Sequence, residues 1–192
     1  DFMGNNINKL NDFGFALIEI MIAIALFGVL ITIIFPIFNT NMNIIDKTNK
    51  KIEMQQQAQF MLNFIEERII ESMGIIYLED INGYIKHDTC DKVNLKKVIF
   101  RNNKTRDEKG YIFNLIKDLE LDYYNLKYGI GLSGTGTIEV GNYIESIEIE
   151  PMPSDKTYTD ADGIVIKINF IFDAERAEAE GGFCYRNLNR GY

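Results

Sequence analysis

A chain of 192 residues with 28 Asp and Glu against 20 Lys and Arg, a formal net charge of −8 and a single histidine is a poor partner for phosphate backbones, which are held by basic patches. No nucleic-acid partner is therefore expected. The length allows one domain with a real hydrophobic core beside a separate segment. The first residue is Asp1, and the expected start lies upstream of it or at Met3.

Residues 15–38, FALIEIMIAIALFGVLITIIFPIF, are apolar throughout except for Glu19 and Thr32. A helix of this length spans about 36 Å at 1.5 Å per residue, against a hydrocarbon core of about 30 Å. Two other readings of the run are a buried core helix and a removed signal peptide. The first is disfavoured by its length. The second is disfavoured by the flanks: Pro36-Ile-Phe-Asn-Thr40 lacks an A-x-A cleavage pattern, and Lys9 is the only base ahead of the run. The helical signal continues past Pro36. Ala58, Met61, Leu62, Ile65 and Ile69 recur at the spacing of one helix face, with Ile45 and Ile52 extending the stripe backwards and Lys and Gln opposite. A single helix from about Phe15 to Met73 is expected, kinked at Pro36 because that residue has no N–H for the Thr32 carbonyl. Gly74 is expected as its C-cap.

The remainder reads as strands. Ile164–Phe172 alternates with period two, as do Ile147 and Ile149 with their polar neighbours. Weaker candidates are Val98–Phe100, Tyr111–Leu115 and Leu119–Tyr124. The expected fold class is α+β: a long N-terminal helix, membrane-spanning in its first half and amphipathic in its second, packed on an antiparallel sheet.

Catalytic signals are weak, and no enzyme activity is expected. Gly129-Ile-Gly-Leu-Ser-Gly134 matches G-x-G-x-x-G, but Thr135-Gly-Thr-Ile-Glu-Val140 is a poor helix start, so the stretch reads as a loop between strands rather than a dinucleotide site. His87 and Cys90 have no further Cys or His nearby to complete a tetrahedral metal site. Asp155, Asp160 and Asp162 form an acidic loop without the EF-hand spacing; a solvated turn is the plainer reading, with calcium left open. No metal and no cofactor are expected. Cys90 and Cys184 are the two cysteines; in a domain outside the cytoplasm a Cys90–Cys184 disulfide is expected, with two free thiols as the alternative.

Gly14-Phe-Ala-Leu-Ile-Glu19, followed by an apolar run with Gly28 and Pro36, resembles the class III signal sequence of the type IV pilin and type II secretion pseudopilin family. "ESMGI" at 71–75 and "FCYRN" at 183–187 resemble the J- and W-type minor branch. The resemblance implies a leader at 1–14, a transmembrane or filament-core helix at 15–38, its amphipathic half at 39–73 and a β-rich head at 74–192. It implies cleavage by a prepilin peptidase between Gly14 and Phe15, N-methylation of Phe15, and a role for Glu19 in filament assembly through the Phe15 amine of a neighbouring subunit. Implied partners are other pilin or pseudopilin subunits, the peptidase, a membrane assembly platform and, before assembly, the bilayer. The implied location is the inner membrane, crossed once with the C-terminal domain outside the cytoplasm, and then a pilus or pseudopilus. Asp12 beside the cut and the weakly basic leader depart from the family pattern. Lys47, Lys50 and Lys51 outnumber Lys9, so the positive-inside rule alone would favour the opposite orientation. The alternative is a single-span membrane protein whose outer domain is a receptor or enzyme that does not assemble.

Overall fold

The computed structural model describes residues 4–102 and 109–186, with side chains described from Leu17 onward. One helix, α1 (Gly4–Ile70), is followed by seven strands: β1 (Ser72–Asp80), β2 (Val93–Asn102), β3 (Gly110–Lys117), β4 (Tyr124–Ile130), β5 (Ile138–Met152), β6 (Gly163–Phe172) and β7 (Glu175–Cys184). The strands form one antiparallel sheet in chain order, β1 to β7. The start of β2 also pairs with β5, Val93 opposite Ile149, beyond the end of the β3–β4 hairpin. The chain divides into two units, Asp1–Thr48 and Asn49–Tyr192, and α1 contributes to both.

Within the second unit the amphipathic stripe of α1 is the wall of the core. Met54, Ala58, Met61, Ile65 and Ile69 are buried, at spacings that keep them on one helix face. They join Val98 and Phe100 of β2, Phe113 of β3, Leu126 of β4, Ile144 and Ile147 of β5, and Ile164 to Phe170 of β6 in a single cluster. Each buried large aliphatic side chain contributes about 1.5–3 kcal/mol relative to exposure. Ile52, included in the expected stripe, is 45 % exposed, so the packed face begins at Met54.

The opposite sheet face carries a second, smaller cover. Ile99, Ile112 and Asn114 are buried there beneath the glycine-rich loop after β4. Asn114 accepts a hydrogen bond from the Gly136 backbone N–H, and Gly110 and Gly131 exchange backbone bonds of 3.1 and 2.9 Å. No helix follows this loop; β5 does. The glycines are needed because a Cβ at Gly136 would lie 2.6 Å from the Tyr128 backbone.

Two expected boundaries are corrected. α1 ends at Ile70, and Gly74 is not its cap but lies inside β1 at φ +129°. It falls between Ser72 and Ile75, where the register with β2 shifts, so the glycine serves a strand irregularity. The helix end is satisfied otherwise: the Ser72 hydroxyl donates to the Ile69 carbonyl at 2.8 Å, and the Arg186 N–H to the Ile70 carbonyl at 3.4 Å. The stretch Leu119–Tyr123 is a turn rather than a strand, with β4 starting at Tyr124. Asp118 stops the extended run by accepting the N–H groups of Glu120 and Leu121.

Candidate assembly segment

The first unit opens on an apolar helix segment. From Leu17 to Phe38 the large apolar residues are exposed, Leu17 at 64 % and Phe35 at 66 %, and the helix is long and apolar enough to cross a membrane. Such a surface needs lipid or other helices around it. Two of its hydroxyls are bonded within the helix. The Thr32 hydroxyl donates to the Val29 carbonyl at 2.7 Å and the Thr40 hydroxyl to the Pro36 carbonyl at 2.9 Å, which removes their cost in an apolar medium. α1 runs unbroken through Pro36. A Cβ at Gly28 would meet nothing within 4 Å.

Glu19 lies one turn beyond Phe15 along α1 and is exposed among apolar neighbours. No Lys, Arg or His occurs between Lys9 and Lys47. Along a helix these bases are about 15 Å and about 42 Å from position 19. No side chain of the same helix therefore neutralises the carboxylate at close range. The bond between Gly14 and Phe15 lies within α1; the side chains at 14 and 15 fall outside the described residues.

The loop that carries His87 and Cys90 meets the acidic loop, the Thr159 hydroxyl donating to the His87 carbonyl at 3.1 Å, and the Tyr185 N–H donates to the Asp162 carbonyl at 2.9 Å. His87 Nε2 lies 3.2 Å from Asp88. In the acidic loop Lys156 pairs with Asp162 at 3.1 Å, and the Thr157 hydroxyl donates to Asp160 at 3.1 Å. Among the described residues no three His, Cys, Asp or Glu side chains are grouped to hold a metal. The expected Cys90–Cys184 bridge is not formed: both are free, exposed thiols. Cys90 sits in the loop between β1 and β2. Cys184 ends β7 on the same alternating exposed face as Arg176, Glu178 and Glu180, a placement that sequence spacing does not reveal.

Two aromatic assemblies were not legible in the sequence, because their members come from different elements. Arg68 of α1 stacks 4.7 Å from the Phe64 ring and within 6 Å of Tyr111 and Tyr128. Tyr123 just before β4, Tyr143 within β5 and Phe172 at the end of β6 meet, with Tyr143 and Phe172 stacked at 4.1 Å.

Residues 9–35 match the prokaryotic N-terminal methylation motif, the class III signal sequence of type IV pilins and pseudopilins. The match supports a pilin-like or pseudopilin subunit, membrane anchoring through the apolar helix, and dealings with a prepilin peptidase and other pilins in general. It ends before the second unit begins. No curated protein and no solved structure matches the chain.

Proposed function

We propose that the chain is a minor pilin or pseudopilin, a structural subunit that joins, primes or caps a type IV pilus, a secretion pseudopilus or a competence pilus. Residues 1–14 are a leader, removed by a prepilin peptidase that cuts between Gly14 and Phe15, after which Phe15 is N-methylated. Residues 15–38 anchor the chain in the inner membrane and later lie in the filament core. Residues 39–73 and 74–192 form the head outside the cytoplasm.

The observation that carries this reading is a carboxylate at Glu19, inside a methylation motif and with no base between Lys9 and Lys47. A charge in the bilayer centre costs about 2.5–3.5 kcal/mol on insertion scales, and less one turn from the end. Cleavage creates an amine on Phe15, which adds to the positive end of the helix dipole. Glu19 of one subunit neutralises the Phe15 amine of the next, and the pair fixes the register of two otherwise featureless apolar helices.

The test compares Glu19→Leu and Glu19→Asp in a strain without the native copy, scoring membrane fractions against sheared filaments. Glu19→Leu is expected to insert and be cut normally but to be depleted from filaments, with Glu19→Asp intermediate. Native recovery of Glu19→Leu in filaments would reject the assembly role and favour a non-assembling single-span protein.

A further inference from the structure

The sheet carries an aromatic cleft close to Lys50 of α1. Its floor is aromatic: Tyr123 meets Tyr143 edge-on at 5.2 Å, and Tyr143 stacks on Phe172. Leu121, Asp122 and Asp173 complete the rim of a cavity of about 240 Å³. The surroundings are acidic. Glu53 and Asp173 act on the Tyr143 hydroxyl, and Asp118 and Glu139 act on that of Tyr123; burial first and these carboxylates second push both hydroxyls above their usual range. Two bases answer them, Lys117 at 3.0 Å from Asp122 and Lys50 at 2.8 Å from Asp173.

Lys50 shows what this surface takes. Its ammonium lies 5.7 Å from the centre of the Phe172 ring while it pairs with Asp173. An ammonium over a ring face with a carboxylate beside it is the arrangement in which aromatic sites hold organic cations. The cavity is smaller than the roughly 300–1,000 Å³ of pockets that enclose whole small molecules. It fits one side chain.

We propose that the Tyr123–Tyr143–Phe172 cleft receives a lysine or arginine side chain from a neighbouring subunit. The occupant's stem lies along Leu121 and the rings, and its charged head meets Asp122 and Asp173. Lys50 competes from within for Phe172 and Asp173. The neighbouring-subunit occupant rests on the filament reading above; the cation chemistry of the cleft does not.

The experiment titrates the full chain in detergent micelles with Nα-acetyl-lysine amide, Nα-acetyl-arginine amide and the neutral Nα-acetyl-norleucine amide, followed by calorimetry. The two basic probes are expected to bind saturably and the neutral one not. Tyr143→Leu should weaken them by roughly threefold or more, the scale of an exposed cation–π contact. Tyr143→Phe, which keeps the ring, should bind as the native chain does. Lys50→Met should bind more tightly, because it removes the internal competitor. Equal binding of norleucine amide, or native binding by a folded Tyr143→Leu variant, overturns the proposal. In the producing strain Tyr143→Leu should be depleted from sheared filaments at an unchanged membrane level, and Tyr143→Phe should not. If the basic probes bind but Tyr143→Leu enters filaments normally, the neighbouring-subunit occupant is overturned. Glu19→Leu, lying outside the cleft, should leave probe binding intact, so failure of the filament reading is distinguishable from failure of the cleft.

Discussion

Met61 of α1 packs directly on the backbone of Gly141 in β5: a Cβ at position 141 would collide with the Met61 sulfur. The glycine sets how closely the helix approaches the sheet. Met61 is fully buried and cannot swing away without opening the core. Gly141→Ala should therefore destabilise the second unit by about 1–3 kcal/mol, the usual cost of overpacking, read as a lower thermal midpoint. Gly28→Ala is the contrast. With open space around it and a better helix former in place, the change should favour the isolated helix by about 1 kcal/mol.

The long helix and the strand Ile164–Phe172 were legible because their apolar residues recur with one clean period over many positions. The head was less so. β1 was hidden because SMGIIYLED follows the helix without a spacer, and Gly74 read as a stop when it marks a bulge. β7 was hidden because ERAEAE presents charges at every exposed position and Glu175 with two alanines inward, a weak apolar signal. The turn at Leu119–Tyr123 read as a strand because its apolar residues alternate, although Leu119 points fully into solvent. The methylation motif at 9–35, in which Gly14 and Glu19 fall, was legible because its residue spacing is fixed. The aromatic cleft was not, since only the register of the sheet brings Tyr123, Tyr143 and Phe172 together.

A chain beginning at Asn39 should fold as a soluble, mostly monomeric unit. The core cluster begins at Met54, and every member lies within the second unit, so the deletion removes exposed apolar surface and no described core contact. Circular dichroism with one cooperative melt, and sedimentation at the monomer mass, are the expected results. Aggregation or a molten spectrum would show that residues 15–38 complete the core.

Tyr111 gives the head an alkaline limit. Burial first, then its hydrogen bond to Glu71 at 2.9 Å, raise its hydroxyl from 10.0 to about 12. A group whose folded value is raised is neutral in both states below the unfolded value, so its contribution is fully present below about pH 10. Above that the unfolded chain ionises first, and stability falls as pH rises through the folded value. The denaturation midpoint of the Asn39 chain should decline between pH 10 and 12, and Tyr111→Phe should flatten the decline. An unchanged slope in the Phe variant would place the alkaline loss elsewhere.

Cleavage at Gly14 tests the leader. The bond lies inside α1, yet a peptidase needs extended backbone, and glycine is the ordinary residue that costs least to unwind from a helix. Replacing Gly14 with leucine should block processing twice over, by stiffening the helix and by filling the space before the bond. Insertion should persist, because residues 15–38 are untouched. Intact-mass measurement on protein from the native membrane should find the native chain beginning at Phe15, heavier by one methyl group where N-methylation has occurred. The Gly14→Leu chain should keep its leader in the same membrane fraction. A native chain beginning after Phe38 would mean that the apolar run is discarded, and with it Glu19 and the filament reading.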